Sequence, residues 1–195
     1  MSNILTPEFL KKCQIPATPI QTTPLQVSDP EWGMSTDFWW KSSNIGDYKH
    51  FAEDMKYTNN SRECWEDFVK LHQILLRIGG EQTCFPAIEE DMKKILDRGR
   101  FYPGRSKMMV GEPSQCHRNS CELWRNNHKD LDITIATGYA LSADGIWRQH
   151  SWLVHRYQTA TQHRTRIIET TVKRLAYFGF EMTEDEAYEF DYNNN

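Results

Sequence analysis

The sequence predicts an α+β fold in which a helix that opens on a cysteine packs against an antiparallel sheet. Three observations point there. Apolar residues recur at three- and four-residue steps over 62–78, a loop rich in Gly and Pro leads into a helical stretch that begins near Cys116, and beyond Asp130 the period changes from helical to alternating.

The elements follow in order along the chain. Residues 1–45 hold five of the eight prolines, Pro7, Pro16, Pro19, Pro24 and Pro30, with Thr and Gln between them, and read as an extended arm. The aromatic residues at its end, Trp32, Phe38, Trp39 and Trp40, carry too much apolar area to be left in water and are expected to pack on the body. Residues 46–195 read as a single catalytic domain. Within it Trp65, Phe68, Leu71, Leu75 and Ile78 form one helical stripe after Ser61, a cap, and before the stop at Gly79-Gly80. A second helix is predicted from Pro86 through Ile88, Met92, Ile95 and Leu96 to Gly99. Residues 99–114 carry loop chemistry, and a helix over 114–127 places Cys116, Ser120, Leu123, Trp124 and Asn127 on one face. Ile133 to Leu141 and Trp147 to Tyr157 form a hairpin about Ala143-Asp144-Gly145. After a turn over 159–165, a third strand is expected over 166–172 and a short fourth over 175–180, and Thr183 with Glu186 reads as the capping box of a last helix. No internal repeat is present.

Composition narrows the function classes. The chain has 195 residues, 38% hydrophobic and 12% aromatic, enough to bury one core. It shows neither the run of about 18 apolar residues that a membrane helix needs nor the basic-then-apolar start of a secretory signal, so no membrane association is expected and the expected address is cytoplasmic. A net charge of -4 gives no reason to expect nucleic acid as a partner. Five cysteines, at 13, 64, 84, 116 and 121, are an odd number at irregular spacing, which suits reduced thiols better than a disulfide framework.

The residues that carry chemistry are Cys116, His150 and Glu169. A thiol becomes a strong nucleophile only as a thiolate, which a helix N-terminus and a neighbouring imidazolium both favour. His150 and Glu169 fall on consecutive strands, which lie about 4.8 Å apart, so the carboxylate can orient the imidazole and the imidazole can serve the thiol. Gln115 and Asn119 are candidates for oxyanion or substrate binding through their side-chain amides, beside the backbone N–H of Cys116. Each has a plainer reading: a buried thiol, a satisfied polar residue at a strand end, a solvated carboxylate, a cap. Asp144 is the second carboxylate in reach but suits the turn. Zinc held by Cys116, His117, Cys121 and His128 is disfavoured because no C-x-x-C pair is present, and no cofactor is expected.

The order Gln115-Cys116-His117, Gln149-His150-Ser151-Trp152 and Ile168-Glu169-Thr170 resembles the papain-like superfamily of thiol hydrolases in its broad sense, with cell-wall endopeptidases, transglutaminase-like proteins and glutamine deamidases among its members. The resemblance covers roughly residues 100–180. It implies a nucleophile helix packed on an antiparallel sheet, a Cys116-His150-Glu169 triad, and hydrolysis or acyl transfer at an amide bond of a protein or peptide substrate. The chain lacks the Cys-Gly-Ser-Cys-Trp signature of the papain peptidases proper, so peptide, isopeptide and glutamine side-chain amides all stay open. The alternative is a non-enzymatic binding or inhibitor protein that works through the Pro-rich, aromatic arm. Oligomeric state is not legible.

Overall fold

A computed structural model describes residues 5–22, 39–41, 62–84 and 91–195. Ser61, Pro86, Ile88, Trp32 and Phe38 lie outside the described residues. The elements are α1 (Pro7–Lys12), β1 (Trp39–Lys41), α2 (Arg62–Ile78), β2 (Gln82–Cys84), α3 (Met92–Arg98), β3 (Arg100–Pro103), β4 (Ser106–Met108), α4 (Cys116–Asn127), β5 (Ile133–Leu141), β6 (Ile146–Gln158), β7 (His163–Glu169), β8 (Ala176–Glu181) and α5 (Glu184–Asn193). The architecture is α+β.

Three expectations are corrected. The arm begins as a helix, because Pro7 occupies its first turn, where a missing N–H is no loss, and the Thr6 hydroxyl accepts the Phe9 N–H at 3.2 Å. The segment is also tied to the body: Ile20 N–H donates to Ile78 O at 2.7 Å and Phe101 N–H to Cys13 O at 2.8 Å. The stretch 99–114 holds two short strands, β3 and β4, around the tight Gly104-Arg105 turn; a methyl on Gly104 would lie 2.3 Å from the Leu175 carbonyl oxygen. The third strand runs over 163–169, earlier than 166–172. Thr159 and Gln162 close the preceding turn in four residues, and at the far end the Glu169 carboxylate accepts the N–H groups of Thr170 and Thr171, which turns the chain out of the sheet.

Most of the sheet is antiparallel, with β6 at its centre. Along one side β6 pairs with β5 from Trp147 to His155. Its other side is shared between two strands: β2 pairs parallel at Ile146 and Trp147, and β7 pairs antiparallel only from Leu153 onward. Residues 148–152 face the opening between β2 and β7. The site forms at this opening.

The sheet is also curled. β3 pairs with β8 and β4 with β7, so the two-residue link between β3 and β4 joins opposite edges of the run β7-β6-β5-β8. Alternation along each strand then separates two cores. Tyr102, Ala136, Ala140, Trp152, Val154, Ile167 and Tyr177 fill the inside of the curl. Leu153, Ile168 and Phe178 face outward, where α2, α3, α4 and α5 supply Leu71, Ile95, Trp124 and Ala187. Gly138 and Gly179 are cross-strand partners at the centre of the curl. A methyl on Gly179 would lie 2.8 Å from the Trp152 ring, so the missing side chain makes room for the indole. No helix among the described residues is long and apolar enough to cross a membrane.

Candidate functional site

The chain reaches the opening in β6 through the loop that follows β4. Met109 N–H donates to Glu169 O and Gly111 N–H to Thr170 O, each at 2.9 Å, so the loop runs beside the end of β7. Asn119, buried on α4, holds the next residue by both ends: its Oδ1 accepts the Glu112 N–H at 3.1 Å and its Nδ2 donates to Glu112 O at 2.8 Å. Ser114 then takes a φ of 58°, a left-handed conformation uncommon outside glycine, and reverses the chain into α4. Gln115 is the N-cap, exposed, with no side-chain cap hydrogen bond. Cys116 is the first helical residue. The earliest helical bond recorded at this end is Asn119 N–H to Gln115 O at 2.8 Å, which leaves the N–H groups of Cys116, His117 and Arg118 ahead of the helical ladder.

These constraints place the half-buried Cys116 thiol beside His150 and the backbone N–H of Ser151, near enough for both to favour the thiolate. His150 itself is 1% exposed. Its Nε2 lies 2.9 and 3.1 Å from the two carboxylate oxygens of Glu169, which is fully buried. A carboxylate only accepts, so Nε2 carries a proton. Nδ1 makes no hydrogen bond and is the nitrogen that remains for the thiol.

Glu169 is held from every side. One oxygen accepts Thr170 N–H at 2.8 Å, Thr171 N–H at 2.9 Å and the Thr171 hydroxyl at 3.1 Å; the other accepts the Tyr177 hydroxyl at 2.8 Å and His150. Burial alone would push its pKa up. The charge and hydrogen bond of His150, the Thr171 N–H and the Tyr177 hydroxyl outweigh that and hold it down to about 2. Burial likewise opposes the charged form of His150, but the Cys116 and Glu169 charges raise its pKa to about 9. The Cys116 thiol is pulled below its ordinary value, because His150 and the Ser151 N–H prevail over burial and over the Glu169 charge. Each of the three shifts favours the charged form of its group.

Gln115 borders the thiol with its side chain in solvent. Asn119 belongs to a different task, since both ends of its amide are committed to the Glu112 backbone. Asp144 stays in its turn, bonded bidentate to Arg148 at 2.6 and 2.9 Å. Sequence reasoning missed Tyr177, Thr171, Ser151 and His117. His117 Nδ1 lies 2.7 Å from the Ser151 hydroxyl, which donates onward to Thr137 Oγ1 at 3.1 Å, so the first turn of α4 is pinned to β6 one residue from His150. Burial and the His150 charge lower the His117 pKa to about 4, which keeps it neutral. The Thr-Thr pair after Glu169 and the Ser after His150 were the only signals in sequence.

Among the described residues no group of three or more His, Cys, Asp or Glu is arranged to hold a metal ion. The fold and site thus define an α+β architecture in which a half-buried Cys116 meets buried His150 and Glu169 at a split in the sheet. No protein-family model, no curated protein and no solved structure matches the chain.

Proposed function

We propose that this chain is a cysteine-dependent hydrolase or acyltransferase acting on an amide bond, with a papain-like core and Cys116, His150 and Glu169 as its catalytic triad. The observation that carries the reading is the half-buried thiol at a helix N-terminus beside a buried imidazole whose Nε2 is given to a buried carboxylate. Burial of the imidazole and the carboxylate with the thiol left half-buried beside them suits a nucleophile that must meet a substrate.

In the reaction, the Cys116 sulfur adds to the amide carbon and the carbonyl π electrons move to oxygen. The resulting oxyanion faces the backbone N–H of Cys116 and the dipole of α4, with the exposed Gln115 amide as a second donor. His150 gives its proton to the leaving nitrogen as the C–N bond breaks, which leaves a thioester and releases an amine, or ammonia from a glutamine side chain. Water then loses a proton to His150 and adds to the thioester carbon, and the acid departs as the thiolate is restored. An amine in place of water gives acyl transfer. A groove of about 330 Å³ lies between the loop before α4 and α4 itself, with Met109, Val110 and Leu123 as apolar walls and Asn119, Glu122 and Asn126 as polar ones, a mixture that suits a polypeptide segment.

The test is alkylation by iodoacetamide, followed residue by residue with mass spectrometry from about pH 5 to pH 9. Cys116 should react well below the ordinary thiol range. Cys13 and Cys121 should not, because both are buried and burial raises both, Cys121 to about 12. Equal reaction of all three, or a Cys116 profile unchanged in His150→Ala, would sink the reading.

A further inference from the structure

The outer face of the sheet carries a second feature, away from the thiol. Arg105 in the β3–β4 turn, Lys107 on β4, and Arg164 and Arg166 on β7 surround a concavity of about 530 Å³ with Tyr157 of β6. Strand pairing puts them together: β4 runs parallel to β7 with Lys107 opposite Ile168, and alternation sets Arg164 and Arg166 on the same face as Ile168. No acidic side chain lines the concavity, and among the described residues none of the four cations is in an ion pair. Arg166 is braced by Tyr157, whose hydroxyl accepts its Nη2 at 2.9 Å and whose ring lies 4.6 Å from the guanidinium. Like charges on neighbouring strands repel, and an anion seated between them relieves that repulsion.

We propose that this concavity binds a compact polyphosphate ligand, of nucleoside di- or triphosphate size. Three guanidinium forks and an ammonium match several phosphate oxygens, whereas a single carboxylate would leave most of the donors unused. The volume falls in the range of small-molecule sites, roughly 300 to 1,000 Å³. Compactness follows from the charge of the whole chain. Its net charge of -4 would repel a long polyanion wherever it ran past the four cations, while a compact ligand meets only the cations. His155, opposite Arg166 in the β6–β7 pairing, senses the same field: burial first, then the Arg166 and Lys107 charges, lower its pKa against the pull of Asp132. The site is independent of the thiol chemistry.

The experiment is calorimetric titration of the full chain with inorganic tripolyphosphate and, separately, with ATP. One ligand should bind per chain, and binding should weaken as salt is raised. The double variant Arg164→Gln, Arg166→Gln should weaken it at least about tenfold. Arg166 also braces Tyr157, so the pair Arg105→Gln, Lys107→Gln, whose side chains make no hydrogen bond or ion pair among the described residues, must show the same direction of loss with an unchanged melting temperature. Absence of saturable binding by either ligand overturns the proposal, as does affinity that neither double variant changes. A third overturning result is an oligothymidylate of about 20 nucleotides that binds when tripolyphosphate does not, which would make the face a nucleic-acid surface.

Discussion

Tyr177 donates its hydroxyl to the same Glu169 oxygen that receives the Nε2–H of His150, at 2.8 and 2.9 Å. Its ring also flanks the imidazole, with centroids 6.2 Å apart and planes inclined at 26°. Glu169 is thus oriented by β8 as well as by its own turn. Tyr177→Phe keeps the ring and removes one donor, so the carboxylate becomes more basic and less firmly aimed. The expected result is a fold destabilised by about 1–3 kcal/mol, with slower Cys116 alkylation near neutral pH. An alkylation profile superimposable on that of the parent would reduce Tyr177 to a packing residue.

Glu169→Gln is harsher than its similar shape suggests. The oxygen facing Thr170 and Thr171 accepts three donors, so the amide oxygen must take that place and the NH₂ must turn to Tyr177 and His150. Tyr177 can rotate its hydroxyl to accept. His150 can accept only by moving its proton from Nε2 to Nδ1, which removes both the lone pair and the extra proton that the thiol needs. Alkylation of Cys116 should therefore shift toward the pH of an ordinary thiol, by more than in Tyr177→Phe, while circular dichroism shows the fold retained. An unshifted profile would remove Glu169 from the site.

How much of this could be read in advance differs from residue to residue. The hairpin of β5 and β6 was legible because Ile133 to Leu141 alternates and Asp144-Gly145 is strong turn chemistry, and the last helix was legible from Thr183 and Glu186, which do form the capping box. Cys116, His150 and Glu169 could be singled out by residue type and order. Their enclosure could not, because it depends on β7 leaving β6 at Leu153 and on β2 joining only at Trp147, pairings between segments far apart in sequence. The β3 and β4 strands escaped notice for the same reason: each is too short to show a period, and each exists only through its partner in β8 or β7. Asn119 looked like an oxyanion donor by helical spacing from Cys116. Its two bonds to Glu112 depend on where the preceding loop folds back.

Acid should destabilise the fold in two stages. His72, bonded to Thr83 Oγ1 at 2.9 Å, and His117 are both lowered by burial from 6.5 to about 4. For each, the neutral form belongs to the fold, so its contribution is full above about pH 6.5 and is lost as pH falls toward 4. For His72, which is 3% exposed, that is on the order of 3 kcal/mol. Glu169 moves from 4.5 to about 2, so its contribution is full above about pH 4.5 and is lost as pH falls through 2. Thermal melting measured against pH should show a decline from about pH 6.5 to 4 that is reduced in His72→Gln, then a second decline that His72→Gln leaves unchanged. A melting temperature flat down to pH 4 would contradict the neutral assignment of both histidines.

Asn119→Ala tests whether the loop before Cys116 is held from α4. The substitution favours the helix slightly by propensity, since Ala is the better helix former. Against that, it leaves the Glu112 N–H and C=O without their partner and opens the space that now confines Gly111, where a methyl would lie 2.5 Å from Asn119 Oδ1. Glu112 is exposed, so water can replace the lost bonds and the expected loss of global stability is small, about 1 kcal/mol. The local effect should be larger. Residues 109–115 would keep their bonds to Glu169 and Thr170 but lose the link to the helix, and the left-handed Ser114 would no longer be held in place. Limited proteolysis should then cut between Val110 and Gln115 faster than in the parent, and Cys116 alkylation should lose part of its advantage at low pH as the first turn of α4 frays. Asn119→Asp keeps the acceptor for Glu112 N–H but not the donor, and should fall between the two. Equal proteolysis of all three chains would mean that the bonds to β7 alone hold the loop and that Asn119 has no part in presenting the thiol.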